Sequence, residues 1–325
     1  MLLKTKDRLS VQQPLQIKRG IEHQGPIYES NYHVPFESIE MYKELIDQFS
    51  REGVISMLYG PRQYGKTSVA LALARELSRN QNLNVCYIIF ESSLSRIPNF
   101  WTYLATYIVP DNESEVNSSI DLRRLMGLSY AKTGKKLLLM IDEFDLLLKC
   151  NVQLFTDFAN FLRSSIVSDW FYGFLGIGNY ELSNLVLKMT GNSGGPFNVD
   201  KTVLAVPFNE NQMMQFFHSL QWKFREDIMK LIIDYSGGAP GVFVSLIKFA
   251  IDFGYHRKTV RDWVNHFHFE GVSSEYYACY NKTYIRIKQD IEDRPYLLES
   301  LRNALKSNKI LGSERSHYHE LWTIH

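Results

Sequence analysis

Apolar positions along the chain fall into two kinds of run, and their alternation predicts the fold. VISMLY (54–59), VCYIIF (85–90), KLLLMI (136–141) and FYGFLGI (171–177) are almost continuously apolar and of strand length. Strands read this way when helices cover both faces of a parallel sheet. Between them lie longer amphipathic stretches, TSVALALARELSRN (67–80), NFWTYLATYIV (99–109) and VQLFTDFANFLRSS (152–165). Upstream, IEMYKELIDQFS (39–50) sets Ile39, Tyr42, Leu45, Ile46 and Phe49 on one helical face. From FNENQMMQFFHSL (208–220) the patterns are mainly helical, broken by SGGAPG (236–241). We therefore expect an α/β core over residues 28–200 and a helical lid over 201–265. Residues 1–27, with Pro14, Gly20, Gly25 and Pro26 and no sustained period, read as an extended arm. Residues 266–325 hold one amphipathic helix, PYLLESLRNALKSN (295–308), and then a segment with the pattern of a strand pair. They form either a truncated winged helix or the edge of the helical unit.

Composition narrows the class. The 325 residues are 45% apolar and 22% charged, which suits two or three packed units and not a disordered chain. A formal net charge of +1 supplies no global field toward nucleic acid or anionic lipid. No run approaches the ~20 apolar residues of a membrane span, and charges interrupt the first apolar residues, so neither a membrane association nor a secretory signal is expected. Cys86, Cys150 and Cys279 lie far apart and read as thiols of a reducing compartment. The expectation is a soluble intracellular protein of the cytoplasm or nucleus. Lys282, Arg286, Lys288, Arg294, Arg302, Lys306 and Lys309 are interleaved with Asp290, Glu292, Asp293 and Glu299, which reads first as a solvated helical face. Nucleic-acid contact is the weaker alternative there.

Between the first strand and the first core helix, Gly60, Gly65, Lys66 and Thr67 satisfy G-x-x-x-x-G-K-[ST]. Such a loop holds phosphates because its backbone N–H groups and the helix N-terminus converge on an anion. Gly60, Pro61, Arg62, Gln63, Tyr64, Gly65, Lys66, Thr67 and Ser68 are therefore the candidate phosphate cradle. Lys66 is expected at the β- and γ-phosphates and the Thr67 hydroxyl on Mg²⁺. Arg62 either reaches phosphate or lid, or faces solvent. The bland alternative is a glycine-bearing turn with an exposed lysine.

Further along, KKLLLMIDEFD ends a buried strand in carboxylates. Asp142 is the expected metal-side aspartate, and Glu143 the group that polarises an attacking water. A plain strand end with Asp145 as helix cap is the alternative. The next strand ends in GNYEL, placing Asn179 to touch a γ-phosphate or the water, unless Gly-Asn is ordinary turn chemistry. Arg163 lies at the end of the intervening helical pattern, either as an arginine finger toward a neighbouring subunit or as a solvated helix-end residue.

Taken in order, the phosphate loop, LLLMIDEFD, FLGIGN and YSGGAPG resemble the AAA+ and STAND group of P-loop NTPases. The resemblance covers residues 28 to about 255, as core plus lid. It implies nucleotide contact by Gly238 and Pro240 of the lid, and by Val34 with His33 and Pro35 ahead of the first helix. Gly238 and Pro240 also read as a helix stop and restart, and His33 as a surface histidine. At finer grain LYGPRQYGKTS, LLLMIDEFD, FLGIGNYEL, GPFNVDKTVLAVPFNENQMMQFF and SGGAPGVFVSLIKF look like the ATPase region of fungal and oomycete Crinkler-type proteins. The chain departs from that family's plan in ending at His325 with no room for a nuclease-like domain, and in having no basic residue beside GGAPG; Lys248 lies further along. The implied activity is slow, Mg²⁺-dependent ATP hydrolysis that moves lid against core, with a protein partner or self-assembly completing the site. The competing expectation is a switch or interaction module that holds ATP or ADP without hydrolysis. The absence of a lysine-aspartate guanine motif favours adenine over guanine.

Overall fold

The computed structural model describes residues 20–22, 25–27, 30–110, 112, 115–150, 152–182 and 201–269. Five parallel strands form one sheet: β1 (Val54–Tyr59), β2 (Leu83–Ile89), β3 (Lys136–Asp142), β4 (Phe171–Gly178) and β5 (Lys201–Leu204). Their spatial order is β2-β3-β4-β1-β5. The chain leaves β1, crosses to the far edge for β2, and returns inward. The C-terminal tips of β1, β3 and β4 therefore lie side by side, where ligands of open α/β sheets collect.

Helices α1 (Glu40–Gln48), α2 (Lys66–Leu77), α3 (Phe100–Ile108), α4 (Ser119–Thr133), α5 (Leu146–Cys150) and α6 (Val152–Ser165) flank the sheet. Side-chain caps start two of them: Asn99 accepts from the N–H groups of Trp101 and Thr102, and Ser118 from that of Asp121. The two-residue period of β3 divides its apolar residues between the faces. Leu138 and Met140 join Leu45, Phe49, Val69 and Leu73 on one side. Leu137, Leu139 and Ile141 meet Trp101, Phe158 and Phe161 on the other.

The lid consists of α7 (Glu210–Ser219), α8 (Glu226–Ser236), α9 (Pro240–Asp252) and α10 (Val260–Phe269). It is continuous with the first of those cores, contributing Phe216, Phe243, Ile247 and Trp263. Asn209 and Gln212 exchange a reciprocal capping box at the start of α7. The Gln212 side chain also donates to the Ser38 carbonyl at 2.7 Å, tying the lid to the segment ahead of α1.

One expected boundary needs correction. Residues 201–204 belong to the core, because β5 pairs in parallel with β1 from Ser56↔Lys201 to Tyr59↔Leu204. The lid begins only afterwards. Of the arm's described residues, Gly20 bridges Asn31 and accepts the Tyr32 N–H at 3.0 Å, and Ile21 packs against the core. Of the unit expected at 266–325, residues 266–269 fall within α10, and the rest, with the helix expected at 295–308, Cys279 and the seven basic residues from Lys282 to Lys309, lies outside the described residues. Among the described residues no helix is long and apolar enough to cross a membrane.

Candidate functional site

Beneath the lid lies a cavity of about 420 Å³, floored by the loop between β1 and α2. Residues 62–69 line it together with Asp142, Glu143, Gly178 and Asn179 from the tips of β3 and β4. Val34, Phe36, Ile39, Met41, Phe208, Phe216, Pro240 and Val244 form an apolar wall opposite, with His33 and Gly241 beside them. Glu22, Gly25, Pro26 and Ile27 of the arm complete the lining. The Ile27 N–H donates to Ser68 Oγ at 3.1 Å, which fastens the arm onto the first turn of α2.

The loop's backbone explains its shape. Gly60 has φ +147°, and a Cβ there would stand 2.9 Å from the Ala205 Cβ, so only glycine passes between β1 and β5's extension. Gly65 occupies the left-handed region as the residue before α2. Lys66 Nζ donates to the carbonyls of Gly60 at 2.9 Å and Pro61 at 2.6 Å. Burial pulls its pKa down to about 8, although the nearby Asp142, Glu143 and Asp145 carboxylates oppose that shift. A desolvated lysine held only by carbonyls suits a site that receives an anion.

Asp142 is the hub of the opposite side. Its Oδ2 accepts from Thr67 Oγ1 at 2.7 Å and from the Tyr87 hydroxyl at 2.8 Å, and its Oδ1 from the Glu143 N–H at 2.8 Å. Burial, with Asp142 beside it, pushes the Tyr87 phenol far above its ordinary range, so it stays a donor. Glu143 takes a left-handed φ of +53°, unusual without glycine, at the turn where the chain leaves β3. The following N–H, that of Phe144, donates to the Ile177 carbonyl at 2.8 Å and locks this turn to β4. Burial raises the Glu143 pKa, and Asp145 and Asp142 reinforce the shift, which makes it a better proton acceptor than a surface carboxylate.

Asn179 is held by buried Asp145: its N–H donates to Oδ1 at 3.3 Å and its side-chain amide to Oδ2 at 3.0 Å. Its own oxygen accepts from the Glu181 N–H at 2.8 Å. Mg²⁺ fits the donor set, since Thr67 and Asp142 present hard oxygens within 2.7 Å of one another beside the loop. Among the described residues no group of three or more His, Cys, Asp or Glu could hold a metal ion.

The structure thus brings together most residues expected from sequence. Arg62, Gln63, Tyr64, Gly65, Lys66, Thr67, Ser68, Asp142, Glu143, Asn179, Val34, His33 and Pro240 all line the cavity. Gly60 and Pro61 stand behind it and receive Lys66. Gly238 stands off as well: its carbonyl accepts the Phe208 N–H at 2.8 Å, and a Cβ would clash with the Phe208 oxygen, so Gly241 rather than Gly238 lines the cavity. Pro35 does not line it, Arg163 is exposed on α6, and Lys248 pairs with Asp252 at 2.9 Å. Sequence reasoning missed Tyr87, Gly241 and the arm. The one available signal for Tyr87 was a hydroxyl-bearing residue in the apolar run VCYIIF.

Residues 56–205 match the family model described as "ATPase family associated with various cellular activities (AAA)". That segment runs from within β1 to just past β5. The fold is similar to that of a Walker-type ATPase of Pyrococcus abyssi, at TM-score 0.54 and 15% identity over 88% of this chain and 92% of that one. A second similar structure is the ORC1 protein of Aeropyrum pernix in complex with DNA, at TM-score 0.49 and 15% identity, covering 89% and 78%. Comparison with curated protein sequences gives no match.

Proposed function

We propose, from the AAA match over residues 56–205, that this chain binds ATP with Mg²⁺ beneath the lid and hydrolyses it slowly, with core-lid movement as the output. The observation that carries this reading is the meeting of Thr67 and Asp142, 75 positions apart in sequence, over a loop of the phosphate-cradling kind. The apolar wall under α9 suits a purine base, and the loop N–H groups with Lys66 suit its phosphates. Thr67 and Asp142 would hold Mg²⁺, which when bound neutralises phosphate charge. Glu143 accepts the proton of the attacking water, and Asn179, held by Asp145, orients the γ-phosphate end. Arg163 is left to face a second copy or a partner, which would account for low turnover in isolation. The finer likeness to Crinkler-type and STAND proteins rests on the quoted motifs and contributes no activity to this reading.

Calorimetry with ATP, ADP and GTP and a phosphate-release assay test it. Lys66→Ala is expected to lose at least about tenfold in ATP affinity, and Glu143→Gln to keep affinity while turnover falls about 100-fold. Unchanged binding in the first variant, or unchanged turnover in the second, removes the corresponding role.

One observation favours a second reading, a switch that holds nucleotide without hydrolysis. Among the described residues the lid sends no lysine or arginine into the cavity, and Lys248 is engaged with Asp252. Stable co-purification of ADP, with no turnover at any protein concentration, would select this alternative.

A further inference from the structure

We propose that Tyr87 is a positioning residue for the metal side of the site, resting on the ATP and Mg²⁺ reading above. Tyr87 lies on β2, beside β3 and paired with Met140, two positions before the Ile89↔Asp142 pair. Its hydroxyl crosses to Asp142 Oδ2 at 2.8 Å. That oxygen also receives Thr67, and the other oxygen receives the Glu143 N–H. Asp142 is 5% exposed, so little of its carboxylate is open to water that could replace a lost donor.

The three donors have different duties. The Thr67 hydroxyl would serve a bound metal as well as Asp142, so its bond to Asp142 would be tied to the ligand. The Glu143 N–H belongs to a left-handed turn and follows that turn. Tyr87 has neither obligation, and its half-buried ring packs against the core that holds Leu138 and Met140, on the same side of the sheet as Val69 and Leu73. It therefore sets the carboxylate rotamer independently of ligand. Because the same carboxylate holds the Glu143 N–H, Tyr87 also steadies the turn that aims the proton acceptor. Partners that orient a metal carboxylate in this way typically change metal affinity 10- to 100-fold when removed.

The test is Tyr87→Phe, which keeps the ring and deletes the hydroxyl. A fluorescent ATP analogue is bound to each protein first in EDTA and then during Mg²⁺ titration, with melting temperature as a check on folding. The expected result is equal affinity in EDTA and a Mg²⁺ midpoint raised about tenfold in the variant. In an Asp142→Ala background the same substitution should give no further shift, because the coupling runs through that carboxylate. An unchanged midpoint, or an equal shift in both backgrounds, overturns the proposal. Wild type that binds no analogue at all overturns the ATP reading itself, and the Tyr87 role with it.

Discussion

The Gly241 N–H donates to the Gln63 carbonyl at 2.8 Å, joining the first turn of α9 to the middle of the phosphate loop. Gln63 sits at φ +62°, a left-handed conformation that a non-glycine residue keeps only when its surroundings hold it. A Cβ on Gly241 would lie 2.5 Å from the Gln63 Cβ and 3.0 Å from its carbonyl oxygen. Gly241→Ala is therefore expected to push the lid off the loop. Thermal melts should show a loss of about 1–3 kcal/mol, and ATP affinity should fall about tenfold. A variant with wild-type values for both would mean that the two elements touch without constraining each other.

Asn179 and Asp145 form a second such pair, this time within the core. Removing the amide in Asn179→Ala takes a donor from a carboxylate that is 1% exposed. The expected cost is about 1–3 kcal/mol of stability. Turnover should fall more than ATP affinity, since the residue is asked to act on the γ-phosphate. Steady-state kinetics beside a denaturant melt separates the two effects, and a loss confined to stability would leave Asn179 a purely structural residue.

The arm predicts a kinetic effect. Ser68 Oγ accepts the Ile27 N–H, so Ser68→Ala removes the fastening between arm and helix. Losing about 1 kcal/mol of closure corresponds to roughly fivefold faster nucleotide dissociation. Stopped-flow displacement of a fluorescent ATP analogue measures it, and an unchanged off-rate would show that the arm is not part of the barrier to release.

Cys86 offers a chemical reading of the core. Burial pushes its thiol up to about 12, and the thiolate is the reactive form. At pH 8 the folded protein should therefore leave Cys86 unalkylated, while urea-unfolded protein is modified there at the ordinary thiol rate. Raising the pH of the folded protein should restore little reactivity below the unfolding range. Peptide mapping by mass spectrometry identifies the site, and rapid labelling of Cys86 in the folded state would contradict its position in the sheet.

What was legible in sequence follows the physics of burial. β1, β2, β3 and β4 announced themselves because helices on both faces demand nearly continuous apolar runs. β5 did not, because four edge residues beginning Lys201-Thr202 carry no such run. Helix α4 escaped for a related reason: only Leu122 and Met126 are among its buried residues, too few to mark a face. In the site, the phosphate loop and the Asp142–Glu143 tip were readable because each is a local string. Tyr87 reaches Asp142 across 55 positions, and Gly241 reaches Gln63 from another layer of the molecule. Those contacts are products of strand order and lid docking, which no local pattern encodes.

The strand order also sets a timetable for the newborn chain. Among the described residues Val54–Tyr59 is the first strand of the sheet to be made, yet its neighbours are Phe171–Gly178 and Lys201–Leu204. At translation rates of about 5–20 residues per second, it waits on the order of ten seconds for both edges to be paired. Until then its apolar side chains and unpaired peptide groups are exposed, and the loop that follows has no floor to rest on. Leu83–Ile89 and Lys136–Asp142 pair with one another first. The half of the sheet without the phosphate loop can thus assemble before the half that carries it, and a chain stalled short of residue 171 holds its most recognisable motif in an unfinished strand.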